Sequence, residues 1–279
     1  MTTPSQSSDG SELEIVDLRG EPDEVAGRAL LQAFYRELYL PAFPIPSERE
    51  SLDTWESYLW GERRHGPAKL HVLVAGTALR DAARRRIGGG MVFVIYPRSD
   101  CALLTYIVVS PQLRGQGLVH CLFAAALHIV AEQGIHMVLG EVNDPTRVSA
   151  EQDAVDPWQR LAIMQRLGGR IVDVPYVQPE LGPGQGRCRD LLLLAFPLPD
   201  AEQDSLSSAA LRDFLREFYA ELGVEQPEND PDLQATLAAM PGSRVPLRQP
   251  VEFARQQLGS ATAESIFRRG PSRGTVGPA

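Results

Sequence analysis

One segment, residues 105–133, constrains the fold more than any other. Its pattern predicts a buried strand, a glycine-bearing turn and an apolar helix in direct succession. The strand lies in residues 103–109 (LLTYIVV), a continuous apolar run rich in β-branched and aromatic residues, which is typical of a strand buried on both faces. Ser110 and Pro111 end the strand, and the sequence RGQG at residues 114–117 leads straight into the helix.

The start of that helix is suited to binding an anion. The first N–H groups of a helix have no intrahelical partner, and the helix dipole is positive at this end. Gly115 and Gly117 would let a bulky anion come close to the backbone. The turn therefore predicts a pocket for a pyrophosphate.

Apolar periodicity and turn residues give the order of the remaining elements. Strands are predicted at residues 13–18, 69–75, 88–96, 136–142, 170–175 and 188–196. Helices are predicted at residues 24–39, after a cap at Ser51, and at 158–167, 207–222, 233–240 and 251–267. The three strands before the glycine turn have short connections and should pair antiparallel. The strand, helix, strand succession around the turn predicts a right-handed crossover and a locally parallel pair.

Composition excludes several classes of function. The 279 residues carry a net charge of −9, which argues against a nucleic-acid-binding face. No apolar run is long enough to cross a membrane, and the first residues lack a signal-peptide pattern, so we expect a cytoplasmic protein without a membrane partner. The three cysteines and five histidines show no metal-ligand spacing, so no metal site is expected.

At the glycine turn the sequence resembles the GNAT superfamily of N-acetyltransferases. The signature of that family is Arg/Gln-x-x-Gly-x-Gly/Ala, preceded by Val and Pro and followed by an apolar helix. Aligned on Arg114 and Gly117, the signature places Val119 where Gly or Ala is usual. A frame shifted by two residues, with Gln112, Gly115 and Gly117, fits every letter, but the first frame keeps the usual spacing to the helix. The resemblance in element order covers roughly residues 12–198.

The resemblance implies a fold and a domain organisation. The fold would be α+β, with a mostly antiparallel central sheet, one parallel splayed strand pair, helices on both faces and a C-terminal helical extension. The expected divisions are a disordered tail at 1–11, a GNAT-like acyl-CoA-binding domain at 12–199, the helical extension at 200–268 and a flexible tail at 269–279. The extension would either mediate a homodimer or cover the acceptor site as a lid.

The resemblance also implies that acetyl-CoA is the cosubstrate. Backbone amides of the turn would hold its pyrophosphate: Arg114, Gly115, Gln116, Gly117, Leu118 and Val119 form this predicted site. Val108 and Val109 would pair with the pantetheine arm, which would enter where the strands around Val109 and Val142 splay apart. Asn143 would hydrogen-bond the pantetheine or the substrate.

The chemistry implied is direct attack of an amine on the thioester. Glu141, at the end of the crossover strand, is the candidate general base. Many family members carry a tyrosine as thiolate acid at the position of Met164, which cannot donate a proton, so Tyr106 and Tyr176 are the candidate substitutes. The amine acceptor is not identified by the sequence.

Two other interpretations compete with this one. A Rossmann dinucleotide site also follows a strand and opens a helix, but His120 stands where the third glycine is needed, and the antiparallel strands argue against it. The other is a non-catalytic acyl-CoA-binding or regulatory module, which Met164 and the helical extension would fit.

Overall fold

The computed structural model of the protein describes residues 12–153, 155–198, 204–240 and 242–268. The two predicted tails, at residues 1–11 and 269–279, lie outside the described residues. Within the described part, the strands form one mixed sheet in the order β1-β2-β3-β4-β5-β7-β6-β9-β8. The strands are β1 Glu14–Asp17, β2 Lys69–Thr77, β3 Arg86–Tyr96, β4 Cys101–Val109, β5 Met137–Asn143, β6 Arg170–Val172, β7 Leu191–Phe196, β8 Ser205–Ser207 and β9 Arg244–Arg248.

Helices cover both faces of this sheet. They are α1 Glu24–Phe34, α2 Leu40–Ala42, α3 Leu52–Leu59, α4 Leu118–Glu132, α5 Pro157–Arg166, α6 Ser208–Glu221, α7 Pro231–Ala239, α8 Pro250–Leu258 and α9 Ser260–Arg268. Alternation along the strands sends side chains into two separate cores. On β2, for example, Leu70, Val72 and Val74 pack with α1, α3 and α6, whereas Leu73 and Ala75 pack with α4 and α5.

Strand pairing confirms the predicted fold class. β1 to β4 pair antiparallel in sequence order, β4 and β5 pair parallel through the α4 crossover, and β5 pairs antiparallel with β7. The predicted caps also form, since Ser51 Oγ accepts from the Thr54 N–H at the start of α3. An α+β fold with one parallel pair is therefore what the sequence produces.

Several predicted elements have different bounds in the structure. The helix predicted at 24–39 is α-helical only to Phe34 and continues as a π-helical turn, Tyr35–Tyr39, which places Tyr39 in the core. The helix predicted at 251–267 is broken at Gly259, whose φ of 80° ends α8 before α9 begins. The strands predicted at 170–175 and 188–196 are shorter, and Cys188 makes only an isolated bridge with Gln178.

The C-terminal part contributes strands as well as helices. β9 pairs with β6 through Ile171 and Val172, and β8 pairs with β9, so both strands extend the sheet. These strands were not predicted, because β8 has three residues and β9 contains Pro246, a residue that argues against a strand. The order β8, α6, α7, β9 matches the order β1, α1, α3, β2 earlier in the chain. The division at residue 199 stays a prediction.

Candidate active site

The parallel strand pair opens into a wedge in the middle of the sheet. β4 and β5 are paired from Cys101 and Met137 to Leu104 and Gly140, and their pairing ends there. Beyond this point β4 stays paired with β3 as far as Val109, and β5 stays paired with β7 as far as Asn143. The two strands therefore diverge with free backbone edges facing each other, as the splay predicted around Val109 and Val142 requires.

Alternation along β4 decides which backbone groups face the wedge. The Ser110 N–H donates to the Gly88 carbonyl at 2.8 Å, so Val108, two residues earlier, also directs its N–H and C=O at β3. Ile107 and Val109 then present theirs to the wedge, and Arg114 Nε reaches the Val109 carbonyl at 3.4 Å. Of the two residues predicted for the pantetheine arm, Val109 therefore faces the wedge with its backbone groups, whereas Val108 faces β3. Their role in binding stays a prediction.

The glycine turn closes the wide end of the wedge. Gly115 and Gly117 have φ of 76° and 85°, in the left-handed region where a side chain is strained, and Gly117 caps α4. Leu118 and Val119 occupy the first positions of that helix, so their N–H groups have no intrahelical acceptor. The Gln116 N–H already donates to the Leu113 carbonyl at 3.4 Å, so its predicted role in anion binding is weaker than that of its neighbours.

Two cavities lie next to each other in the wedge. The outer cavity, about 540 Å³, is bounded by the end of β4, the glycine turn and α5, and Ile266 of α9 contributes to its wall. The inner cavity, about 110 Å³, is lined by Glu141. Residues common to both walls mark the junction: Ala42, Phe43, Ile107, Arg160 and Met164. The cavity at the turn and the cavity at Glu141 are therefore adjacent and separated only by these shared side chains.

Glu141 is held in place by two donors on one carboxylate oxygen. The Tyr176 hydroxyl donates to Oε1 at 2.5 Å, and Gln178 Nε2 donates to the same oxygen at 2.9 Å. Burial raises the pKa of Glu141 to about 7, and the two hydrogen bonds only partly offset that rise. The second oxygen, Oε2, accepts no hydrogen bond from a described residue. A carboxylate with this pKa can accept a proton near neutral pH.

The two candidate tyrosines lie in different surroundings. Tyr176 contacts Glu141 directly, and burial raises the pKa of its hydroxyl well above the usual value. Tyr106 lines the inner cavity, but its hydroxyl donates to the Glu48 carbonyl at 3.2 Å and its ring packs edge-on against Tyr39. The structure thus brings Tyr176 to Glu141 and leaves Tyr106 in the aromatic core. Met164 lies at the junction of the two cavities, where it can donate no proton.

Asn143 is anchored to an ion pair at the same junction. Its Nδ2 donates to Asp153 Oδ2 at 3.0 Å, and Arg160 Nε donates to that oxygen at 3.1 Å. Asp153 and Arg160 have side chains only 5% and 16% exposed. Asn143 is predicted as a cofactor contact. Because its side-chain N–H group donates to Asp153, its side-chain carbonyl oxygen is the atom that is available to a ligand.

Sequence reasoning missed several polar side chains of the inner cavity, among them Glu48, Glu50, Asp153, Arg160 and Gln178. Glu50 accepts from Trp55 Nε1 at 2.9 Å and is 8% exposed. The residues that lead up to it, Ser-Glu-Arg-Glu at 47–50, are all polar and precede the helix cap Ser51. This pattern is typical of an exposed connection. The signal available was its place between the proline-rich loop at residues 41–46 and the aromatic residues Trp55 and Tyr58.

Other classes of site are absent from the described residues. They contain no group of three or more histidine, cysteine or acidic residues arranged to hold a metal ion. No helix among them combines the length and the apolar character that a bilayer crossing needs.

Comparison with known proteins bears on the fold and the family. Residues 32–151 match the family model described as "Acetyltransferase (GNAT) family". A GNAT-family protein from Bacteroides thetaiotaomicron superposes with a TM-score of 0.50 at 18% identity, over 76% of this chain and 99% of that chain. A likeness at this identity concerns the fold alone. No curated protein matches the chain.

Two further solved structures were determined with a coenzyme. A GNAT acetyltransferase from Elizabethkingia anophelis with acetyl-CoA bound has 17% identity and a TM-score of 0.39, over 67% of this chain and 98% of that chain. A Bacillus subtilis acetyltransferase in complex with CoA has 18% identity and a TM-score of 0.39, over 67% and 99%. The matched model spans the wedge and the glycine turn, so the stretch of chain that carries both is similar to the GNAT acetyltransferase family.

Proposed function

We propose that the protein transfers an acetyl group, or another acyl group, from coenzyme A to an amine by direct attack. The observation that carries this proposal is the adjacency of two cavities in the β4–β5 wedge, one at the glycine turn and one at the Glu141 carboxylate. The match of residues 32–151 to an acetyltransferase family model supports the same conclusion.

The turn and the wedge fit coenzyme A in shape and in hydrogen bonding. The N–H groups of Gly117, Leu118 and Val119 converge at a helix start, where the dipole favours the charge of a pyrophosphate. The pantetheine arm carries amides, which can pair with the free backbone edge of Ile107 and Val109. This arrangement would direct the thioester toward the inner cavity.

Glu141 would act as the general base. An amine acceptor arrives mostly as its ammonium ion, and Glu141 takes a proton from it, directly or through one water molecule. The freed nitrogen attacks the thioester carbon, the C–N bond forms and the C–S bond breaks. The second proton of the nitrogen passes to the departing thiolate, which leaves as the free thiol of coenzyme A. Tyr176 and Gln178 are positioning residues, since their bonds to Oε1 leave Oε2 to receive the proton.

The leaving thiolate needs less assistance than the amine. An alkyl thiol such as a cysteine side chain has a pKa of about 8.5, so its thiolate leaves readily at neutral pH. Of the two candidate acids, Tyr176 lies in contact with Glu141, and Tyr106 donates to the Glu48 carbonyl. We therefore expect removal of the Tyr106 hydroxyl to affect turnover less than removal of the Tyr176 hydroxyl.

Two measurements test the proposal. Acetyl-CoA should bind in a calorimetric titration and NAD should not, and a panel of small amines should release free thiol from acetyl-CoA. Stabilisation by NAD without any binding of acetyl-CoA would refute it. Cys101, Cys121 and Cys188 are all unpaired, which supports the cytoplasmic location that belongs to the same proposal. A homodimer and the absence of nucleic-acid binding stay predictions.

One observation, a methionine at position 164 where a tyrosine is usual, favours a second function. This residue takes the place of the usual tyrosine acid and lies at the junction of the two cavities. A non-catalytic acyl-CoA-binding module would bind acetyl-CoA, release no thiol with any amine, and show no change in coenzyme affinity in Glu141→Gln.

A further inference from the structure

The inner cavity has an excess of negative charge. Four carboxyl groups line it (Glu48, Glu50, Glu141 and Asp153), against the single guanidinium of Arg160. Arg160 is already paired with Asp153. None of the remaining three carboxyl groups makes an ion pair within the part of the chain that the structure describes. Arg63, a cation whose charge acts on Glu50, pairs with Glu221 and stacks on Tyr58.

Because no cation among the described residues is paired with these three carboxyl groups, burial changes the pKa of each of them. Desolvation raises the pKa of Glu48, of Glu50 and of Glu141. Glu50 and Glu141 also raise each other's proton affinity, since Glu50 is among the charges that act on Glu141. A cation entering the cavity would relieve both effects.

Two polar atoms at this end of the cavity have no hydrogen-bond partner among the described residues. Glu50 Oε2 accepts from Trp55, whereas no described residue donates to its Oε1. Tyr96 lines the same cavity and is 3% exposed, and its hydroxyl has no hydrogen-bond partner among the described residues. This hydroxyl and Glu50 Oε1 are therefore available to a ligand in the cavity.

The rest of the wall suits a small organic cation. Aromatic rings surround the carboxylates: Phe43, Tyr58, Tyr96, Tyr106 and Phe218. Ring faces attract ammonium groups, and the energy rises when the pair is shielded from water. The volume, about 110 Å³, limits what can enter to a small ligand. Phe218 and Leu222, from the C-terminal part, close this end of the cavity.

We propose that Glu50 and Tyr96 form a subsite for a second cationic group on the acceptor, so that the acceptors of this protein are small molecules with two amino groups. One amine would be acylated beside Glu141, and the other would be held as an ammonium ion by Glu50 Oε1 and the Tyr96 hydroxyl. The assignment of the first amine rests on the proposed function, whereas binding of the second can be measured without turnover.

The test compares ligands of equal length by calorimetric titration, with and without saturating CoA. 1,4-Diaminobutane should bind about tenfold more tightly than 4-aminobutan-1-ol, because only the diamine brings a second charge to Glu50. Glu50→Gln should reduce this preference to about twofold or less, and Tyr96→Phe should reduce it in part. Asp53→Asn, a neutralised carboxylate on the exposed side of α3, is the matched control and should keep the full preference.

Equal affinity for the two ligands in the unmodified protein would overturn the proposal, as would a full preference in both Glu50→Gln and Tyr96→Phe. Tyr96→Phe removes a hydroxyl without a partner and decides the matter if Glu50→Gln does not fold. A diamine preference without thiol release on any amine would leave this subsite standing and refute the proposed acyl transfer.

Discussion

The ionisation of Glu141 should set the pH dependence of acyl transfer. Burial raises the pKa of this carboxyl to about 7, and a general base works only when it is ionised. With that pKa, about 9% of Glu141 is ionised at pH 6, about half at pH 7 and about 91% at pH 8. For an acceptor whose own ionisation is corrected for, kcat/KM should therefore rise roughly tenfold between pH 6 and pH 8.

Glu141→Gln should remove the inflection near pH 7 from the pH profile of kcat/KM. It should also lower kcat/KM by about 10²–10⁴-fold, the usual contribution of a positioned base. The assay is free-thiol release from acetyl-CoA at a series of pH values with one amine. Glu132→Gln, an exposed carboxylate near the end of α4, is the charge-matched control and should reproduce the unmodified profile. An inflection near pH 7 that persists in Glu141→Gln would refute the assignment of Glu141 as the base.

Three further predictions concern the same site. Tyr176→Phe removes a hydrogen bond that lowers the pKa of Glu141, so the inflection should move to higher pH; a shift to lower pH would contradict the contact. Gly117→Glu should weaken acetyl-CoA binding at least tenfold in a folded protein, because it adds an anion beside the pyrophosphate at a position with φ of 85°; unchanged affinity by calorimetry would place the site elsewhere. The raised pKa of Glu141 also costs stability as pH rises from about 4.5 to about 7, since the unfolded chain releases its proton first, and the loss is on the order of 3 kcal/mol at most. Chemical denaturation at pH 8 should then give Glu141→Gln a free energy of unfolding at least as large as that of the unmodified protein. A large loss of stability in the variant would show that the ionised carboxylate is well solvated.

Local sequence signals were sufficient to predict the elements at the centre of the fold. The apolar run at β4, the glycines at 115 and 117 and the apolar helix α4 each have one clear structural interpretation, and their succession predicts both the parallel pair and the anion site. Glu141 could be placed at the end of β5 because strand direction and length follow from the same pattern.

What the sequence did not reveal depends on contacts between distant segments. Glu50 is followed by a helix cap and looks solvated, yet Trp55 and the aromatic core bury it. Gln178 and Tyr176 lie in an irregular segment, whose path to Glu141 is set by tertiary packing and not by periodicity. β8 and β9 form because an edge of the sheet at β6 is available to them, which no local pattern can show.

We expect coenzyme A to lie in the wedge between β4 and β5 with its sulfur next to Glu141. A crystal structure of the protein with CoA would show this. Pyrophosphate oxygens should lie within about 3.2 Å of the N–H groups of Leu118 and Val119, and the pantetheine amides should pair with Ile107 and Val109. The sulfur should lie at the junction lined by Met164. Coenzyme A bound outside the wedge, or with its sulfur directed away from Glu141, would contradict this expectation.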